Sequence, residues 1–185
     1  MRMITALMVC ALAWAPAIAM AAGSSTGGHG GHAGHGAATP YAGQQDRAIK
    51  SLSAKDIDDL ENGRGWGLAK AAELNGMPGP VHLLELRREI GLSPAQISAI
   101  EEKFRAMKAK AIPLGRRMIE LEAQLEHAFA NRAIDGTTLK ALLSDIATVR
   151  GDLRFVHLAT HLETPAILSS DQIKTYNRLR GYTSP

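Results

Sequence analysis

Residues 92–130 read LSPAQISAIEEKFRAMKAKAIPLGRRMIELEAQLEHAFA. Within them Ile97, Ile100, Phe104, Met107, Ala111, Leu114, Met118, Leu121, Leu125 and Ala128 follow one another in alternating steps of three and four. That is the heptad seam of one long helix. Pro113 falls inside the run, yet the phase is the same on both sides of it, so the spacing predicts a kinked but continuous helix. Asn131 to Gly136 supplies a turn. A second seam, Leu139, Leu142, Ile146, Val149, Leu153, Val156 and Thr160, predicts a partner helix that ends before Pro165. Two long helices on a short loop pack antiparallel.

The first helix has its start written into it, and the same start occurs at three places. Leu52-Ser53-Ala54-Lys55-Asp56-Ile57, Leu92-Ser93-Pro94-Ala95-Gln96-Ile97 and Leu168-Ser169-Ser170-Asp171-Gln172-Ile173 each set a serine where its hydroxyl can accept from the orphan amides of a first turn. The Gln or Asp three residues on can reach back to the serine, and the flanking leucine and isoleucine form a hydrophobic staple. Asp56 is the poorest of the three partners. Pro94 stands at the first helical position, where its missing N–H costs nothing. The third start predicts a short C-terminal helix from Ser170 to about Arg180. Between the first two, Gly63-Arg64-Gly65-Trp66-Gly67 and Asn75-Gly76-Met77-Pro78-Gly79-Pro80 leave short helices near 54–61, 66–74 and 80–90. The expected fold is therefore all-α: a long antiparallel helical hairpin with a short C-terminal helix and a loop-rich helical N-terminal cap.

Composition agrees. The 185 residues are 45% hydrophobic but only 4% aromatic, which favours helices packed through Ala, Leu, Ile and Met over a β-sandwich. A formal charge of +3 excludes a strongly basic nucleic-acid binder. Arg2, the apolar run Ile4 to Ala19 and the small residues Ala19-Met20-Ala21 read as a signal peptide cut after Ala21, with the periplasm as destination. Cys10 would leave with it, which excludes disulfides and thiolate metal sites in the remainder. From Gly23 to Thr39 only Gly, Ala, Ser, Thr and His occur, with His29, His32 and His35 at three-residue spacing. Such a segment builds no core; it is either a labile Zn, Cu or Ni capture arm or a solvated linker. The expected organisation is a signal peptide at 1–21, a His/Gly-rich arm at 22–40, a short-helix cap at 41–91 and the hairpin domain at 92–185.

One pair of residues carries chemistry. His157 and His161 stand at i and i+4, on one face of the second long helix, the spacing that lets one helix offer two imidazoles to one ion. Zinc proteases need Glu directly after the first His as general base, and Leu158 occupies that place. No Ser-His-Asp order, paired carboxylates or nucleotide motif stands out, so the expectation is a protein that is not an enzyme and takes no organic cofactor. Met107 and Glu163 are geometrically able to complete the ligand set. The alternative is that both histidines merely flank the seam as hydrogen-bonded, half-buried residues. Met107 and Met118 likewise read either as core or as an adaptable surface for clients, rimmed by Lys103, Arg105, Lys108, Lys110, Arg116 and Arg117. One pair of helices cannot bury both seams, so the cap, the last helix or a second subunit must cover them, and a homodimer is the expectation.

The two Leu-Ser-x-x-Gln copies, Leu92-Ser93…Gln96 and Leu168-Ser169…Gln172, flank the helical hairpin. They resemble the paired LTxxQ motif of the Spy/CpxP family, with Ser in place of Thr in both. The likeness covers about Leu83 to Tyr182. The same superfamily holds zinc-binding ZraP-like proteins and CnrX-like nickel and cobalt sensors. The resemblance implies an all-helical, often dimeric periplasmic protein of envelope stress and heavy-metal resistance. By it His157 and His161 are ligands for Zn, Ni, Co or Cu, and a signalling membrane protein is a further partner. The alternative that it implies is an ATP-independent chaperone for unfolded clients.

Overall fold

The computed structural model describes residues 39–182; the signal peptide and the His29, His32 and His35 arm read from the sequence lie outside the described residues. Every regular element among the described residues is helical. Four short helices come first, α1 (Ala54–Glu61), α2 (Lys70–Glu73), α3 (Pro80–Glu85) and α4 (Arg87–Ile90). Two long ones follow, α5 (Pro94–Ala130) and α6 (Gly136–Glu163); a 3-10 turn over Thr164–Ile167 then leads into α7 (Ser170–Leu179). No described helix is long and apolar enough to cross a membrane.

All three serine starts are capping boxes. Ser53, Ser93 and Ser169 accept from the amides of Asp56, Gln96 and Gln172, whose side chains return to the cap amides. Asp56, the poorest partner on paper, also takes the Trp66 indole N–H at 2.8 Å. Ser53 above all, and then Trp66, hold its carboxyl below the usual range. The stretch predicted as helix at 66–74 is regular only over 70–73. Trp66 takes a positive φ of 42° and Gly67 one of 71°, and a helix does not propagate through such residues. Asp135, not read as a cap from the sequence, starts α6 by accepting from Thr138 N at 2.7 Å.

Helix α5 runs unbroken through Pro113, which is exposed, as is Ala109 one turn back. The carbonyl that the missing N–H leaves free therefore faces water. Helices α5 and α6 run along each other in opposite directions. Residues 131–135 join them at one end, and Lys103 Nζ reaches Glu163 at 2.6 Å near the other. Of the seam of α5, Ile100, Met107, Ala111, Met118 and Leu121 are buried. Met107 and Met118 are thus core residues, and the reading of them as an open client surface falls away.

Apolar residues bury in two clusters along α5. One gathers Ile49, Leu52, Leu60, Leu68, Ala111, Met118 and Leu153. The other gathers Leu83, Ile90, Leu92, Ile100 and Tyr176. The first closes at a backbone crossing: a Cβ on Gly115 would overlap the Leu60 carbonyl, so the end of α1 lies directly on α5. The second closes around the two glutamines of the repeated motif. Gln96 Nε2 donates to Gln172 Oε1 at 2.8 Å and to Ile167 O at 2.9 Å, while Gln172 Nε2 donates to Gln96 Oε1 at 3.1 Å and to Gly91 O at 3.2 Å. With the cap amides of Ser93 and Ser169 at 2.9 Å, both carboxamides use every donor and both lone pairs.

Candidate functional site

Between the two clusters α5 presents Met107, and here α2, the Met77–Pro80 loop, α5, α6 and the residues after α7 surround a cleft of about 640 Å³. His157 and His161 both line it, with Met107, Phe104, Trp66, Glu73, His82 and Gly79. The predicted pair is thus in one cleft with Met107. Glu163 does not line it; its carboxylate is turned to Lys103 on the surface, and that ion pair holds it below its usual range. His127 is exposed at the far end of α5.

The two imidazoles differ in their surroundings. His157 is 2% exposed, and its Nε2 is buried without a hydrogen-bond partner. Burial, with His161 adding a smaller push, takes its pKa down to about 4, so the ring is neutral at pH 7. His161 has its Nδ1 at 2.8 Å from the Met77 carbonyl, which can only accept. Nδ1 therefore carries the proton, and in the neutral ring Nε2 keeps its lone pair. Gly79 lies against that nitrogen: a Cβ there would stand 2.5 Å from both Cε1 and Nε2. Its φ is an ordinary −96°, so closeness, and not backbone conformation, is what requires glycine.

The wall behind His161 is a polar tie between the cap and α7. Glu73 Oε1 accepts from the Tyr176 hydroxyl and from Arg180 Nε at 3.2 Å, and its Oε2 lies 4.0 Å from His161 Nδ1. Burial, reinforced by Glu73, raises the Tyr176 phenol above its usual range, so it acts only as a neutral donor. Arg180 also stacks on Tyr182, 5.5 Å from the ring centre.

As a metal platform the residues fit in part. A ligating imidazole must be neutral, and a second-shell acceptor on its other nitrogen fixes the ring; the His161–Met77 bond has that form. His157 brings an unpaired buried nitrogen one turn away. Among the described residues no three His, Cys, Asp or Glu side chains are grouped to hold one ion. The set is two imidazoles with a thioether in the same cleft, a platform that leaves coordination positions open.

Glu73, Gly79 and Met77 were not singled out in the sequence, where 75–80 reads only as a helix break. Met77 and His161 are 84 residues apart, and no local pattern links them. No family model, curated protein or solved structure matches the chain.

Proposed function

We propose that this chain is an exported, non-enzymatic protein of the Spy/CpxP type, a helical hairpin under a short-helix cap, that binds a divalent transition-metal ion through His157 and His161. The observation that carries the reading is the unpaired, buried and neutral His157 imidazole one helical turn from a His161 whose Nδ1 is bonded to a backbone carbonyl. His157 and His161 would hold the ion, with Met107 as a soft third donor. The bound ion would supply Lewis acidity or a readable change of state. Open coordination positions suit a sensor or an accessory carrier better than a structural centre.

Isothermal titration with Ni, Co, Cu and Zn tests it. The intact protein is run beside a form lacking residues 23–39 and a His157→Ala/His161→Ala form. Micromolar or tighter binding that survives loss of the arm and disappears with the pair supports the reading. Binding that goes with the arm, or no binding, overturns it.

A second reading, an ATP-independent chaperone, is favoured by the outer face of α6, where Phe155 is 69% and Leu162 66% exposed. Suppression of client aggregation without ATP, lost on Phe155→Glu, would favour it over the metal.

A further inference from the structure

We infer that the cleft is also a binding site for a small anionic amphiphile, an apolar body with one carboxylate head. The claim goes beyond metal binding and rests on the apolar lining of the cleft and the ammonium groups at its rim. A volume of about 640 Å³ is within the range of small-molecule sites and far more than one ion with its waters needs. The lining is mostly apolar. Leu74 and Val81, both exposed, stand with Trp66 and Phe104 around it, and Met107 lies at its base. Exposed apolar residues gathered in a concavity are what a ligand's apolar body covers; scattered singly they would mean nothing.

The charge around this lining is one-sided. Arg64, Lys70, Lys108 and Arg180 border the cleft against a single carboxylate, Glu73. Arg64 is committed to Asp58 and Asp59, and Arg180 to Glu73. Glu73 is itself committed to Tyr176 and Arg180. Lys70 and Lys108 have no carboxylate within ion-pair distance among the described residues, and Lys108 is held over the Phe104 ring, 5.7 Å from its centre. Two unpaired ammonium groups at an apolar cleft select a ligand that is apolar over most of its length and negative at one end. A cation of the same shape is repelled, and a neutral one loses the head contact.

Isothermal titration of the purified protein with dodecanoate, in EDTA so that no metal contributes, tests the inference. Dodecanol and dodecyltrimethylammonium serve as the neutral and cationic arms. Saturable one-to-one binding of dodecanoate is expected, weaker with the alcohol and absent with the cation. Lys70→Ala/Lys108→Ala should weaken it by at least about fivefold, while Lys140→Ala/Lys174→Ala, at exposed lysines that do not line the cleft, leaves it unchanged. A Leu74→Asp variant, at an exposed position that does not threaten the fold, should weaken it as well. Equal binding of all three probes, indifference to the Lys70/Lys108 change, or no saturable binding overturns the proposal. Because EDTA is present and His157 and His161 are intact, failure here leaves the metal reading standing, and failure of the metal titration leaves this one standing.

Discussion

His157 is held neutral by its surroundings, and that has a cost as the solution becomes acid. Its folded pKa near 4 lies below the ordinary 6.5. As pH falls, the unfolded chain takes up the proton first. Stability from this residue is complete above about pH 6.5, declines toward pH 4 and is constant below, by about 3 kcal/mol in all. Urea midpoints in EDTA at pH 7.5 and 5.0 should show the loss, and His157→Leu, which has no proton to take up, should remove most of that slope. A variant with an undiminished slope would mean that the ring is not desolvated. The other residue on which the site turns is Gly79. In Gly79→Ala the new methyl occupies the space against His161 Nε2, so metal affinity should fall by at least about tenfold, roughly 1.4 kcal/mol, with little change in helicity by circular dichroism. Retained affinity would place the ion elsewhere.

At the scale of elements, the two capping boxes are joined. Gln96 and Gln172 each complete their own helix start and then bond to one another, fixing the entrances of α5 and α7 side by side. Gln96→Ala should cost about 1–3 kcal/mol, because it leaves Ser93 N and Ile167 O without that partner and frees one donor and one lone pair of the Gln172 carboxamide, which keeps Ser169 N and Gly91 O. In a double-mutant cycle with Gln172→Ala the two losses should be non-additive by about 1 kcal/mol or more; simple additivity would show that the caps act independently. The crossing of α1 on α5 makes a parallel case, and Gly115→Ala, which drives a methyl into the Leu60 carbonyl, should cost about 1–3 kcal/mol by chemical denaturation. Helix starts were legible in the sequence because a cap and its partner lie three residues apart. The seam of α5 was legible because its period is local. What could not be read is whatever joins distant segments: the Gln96–Gln172 pair spans 76 residues, and Gly115, beside the seam, does not announce what approaches it. The candidate site divides in the same way, with the His157/His161 spacing visible and the Met77 carbonyl and Glu73 behind it hidden.

On the scale of the whole molecule, α6 is only half covered. No residue of α6 before Leu153 is buried. The face turned away from α5 carries Leu143, Ala147, Gly151, Phe155, Leu158 and Leu162 in steps of four, four, four, three and four. Leu143, Phe155 and Leu162 are exposed on it. From Leu143 to Leu162 this stripe is about 30 Å long, and an apolar stripe of that length on a monomer is unusual. A second copy of the same stripe, related by a two-fold axis, would cover it, and Ala147 and Gly151 would let the two α6 backbones approach closely. Light scattering at micromolar concentration should therefore give twice the chain mass, and Phe155→Glu/Leu162→Glu should give one chain's mass with unchanged helicity. Dimerisation through this face and capture of unfolded clients on it exclude each other, since each needs Phe155 and Leu162 uncovered beforehand. A dimer that the double variant dissociates would thus count against the chaperone reading as well as for the interface, whereas a wild-type monomer would leave the stripe free for clients.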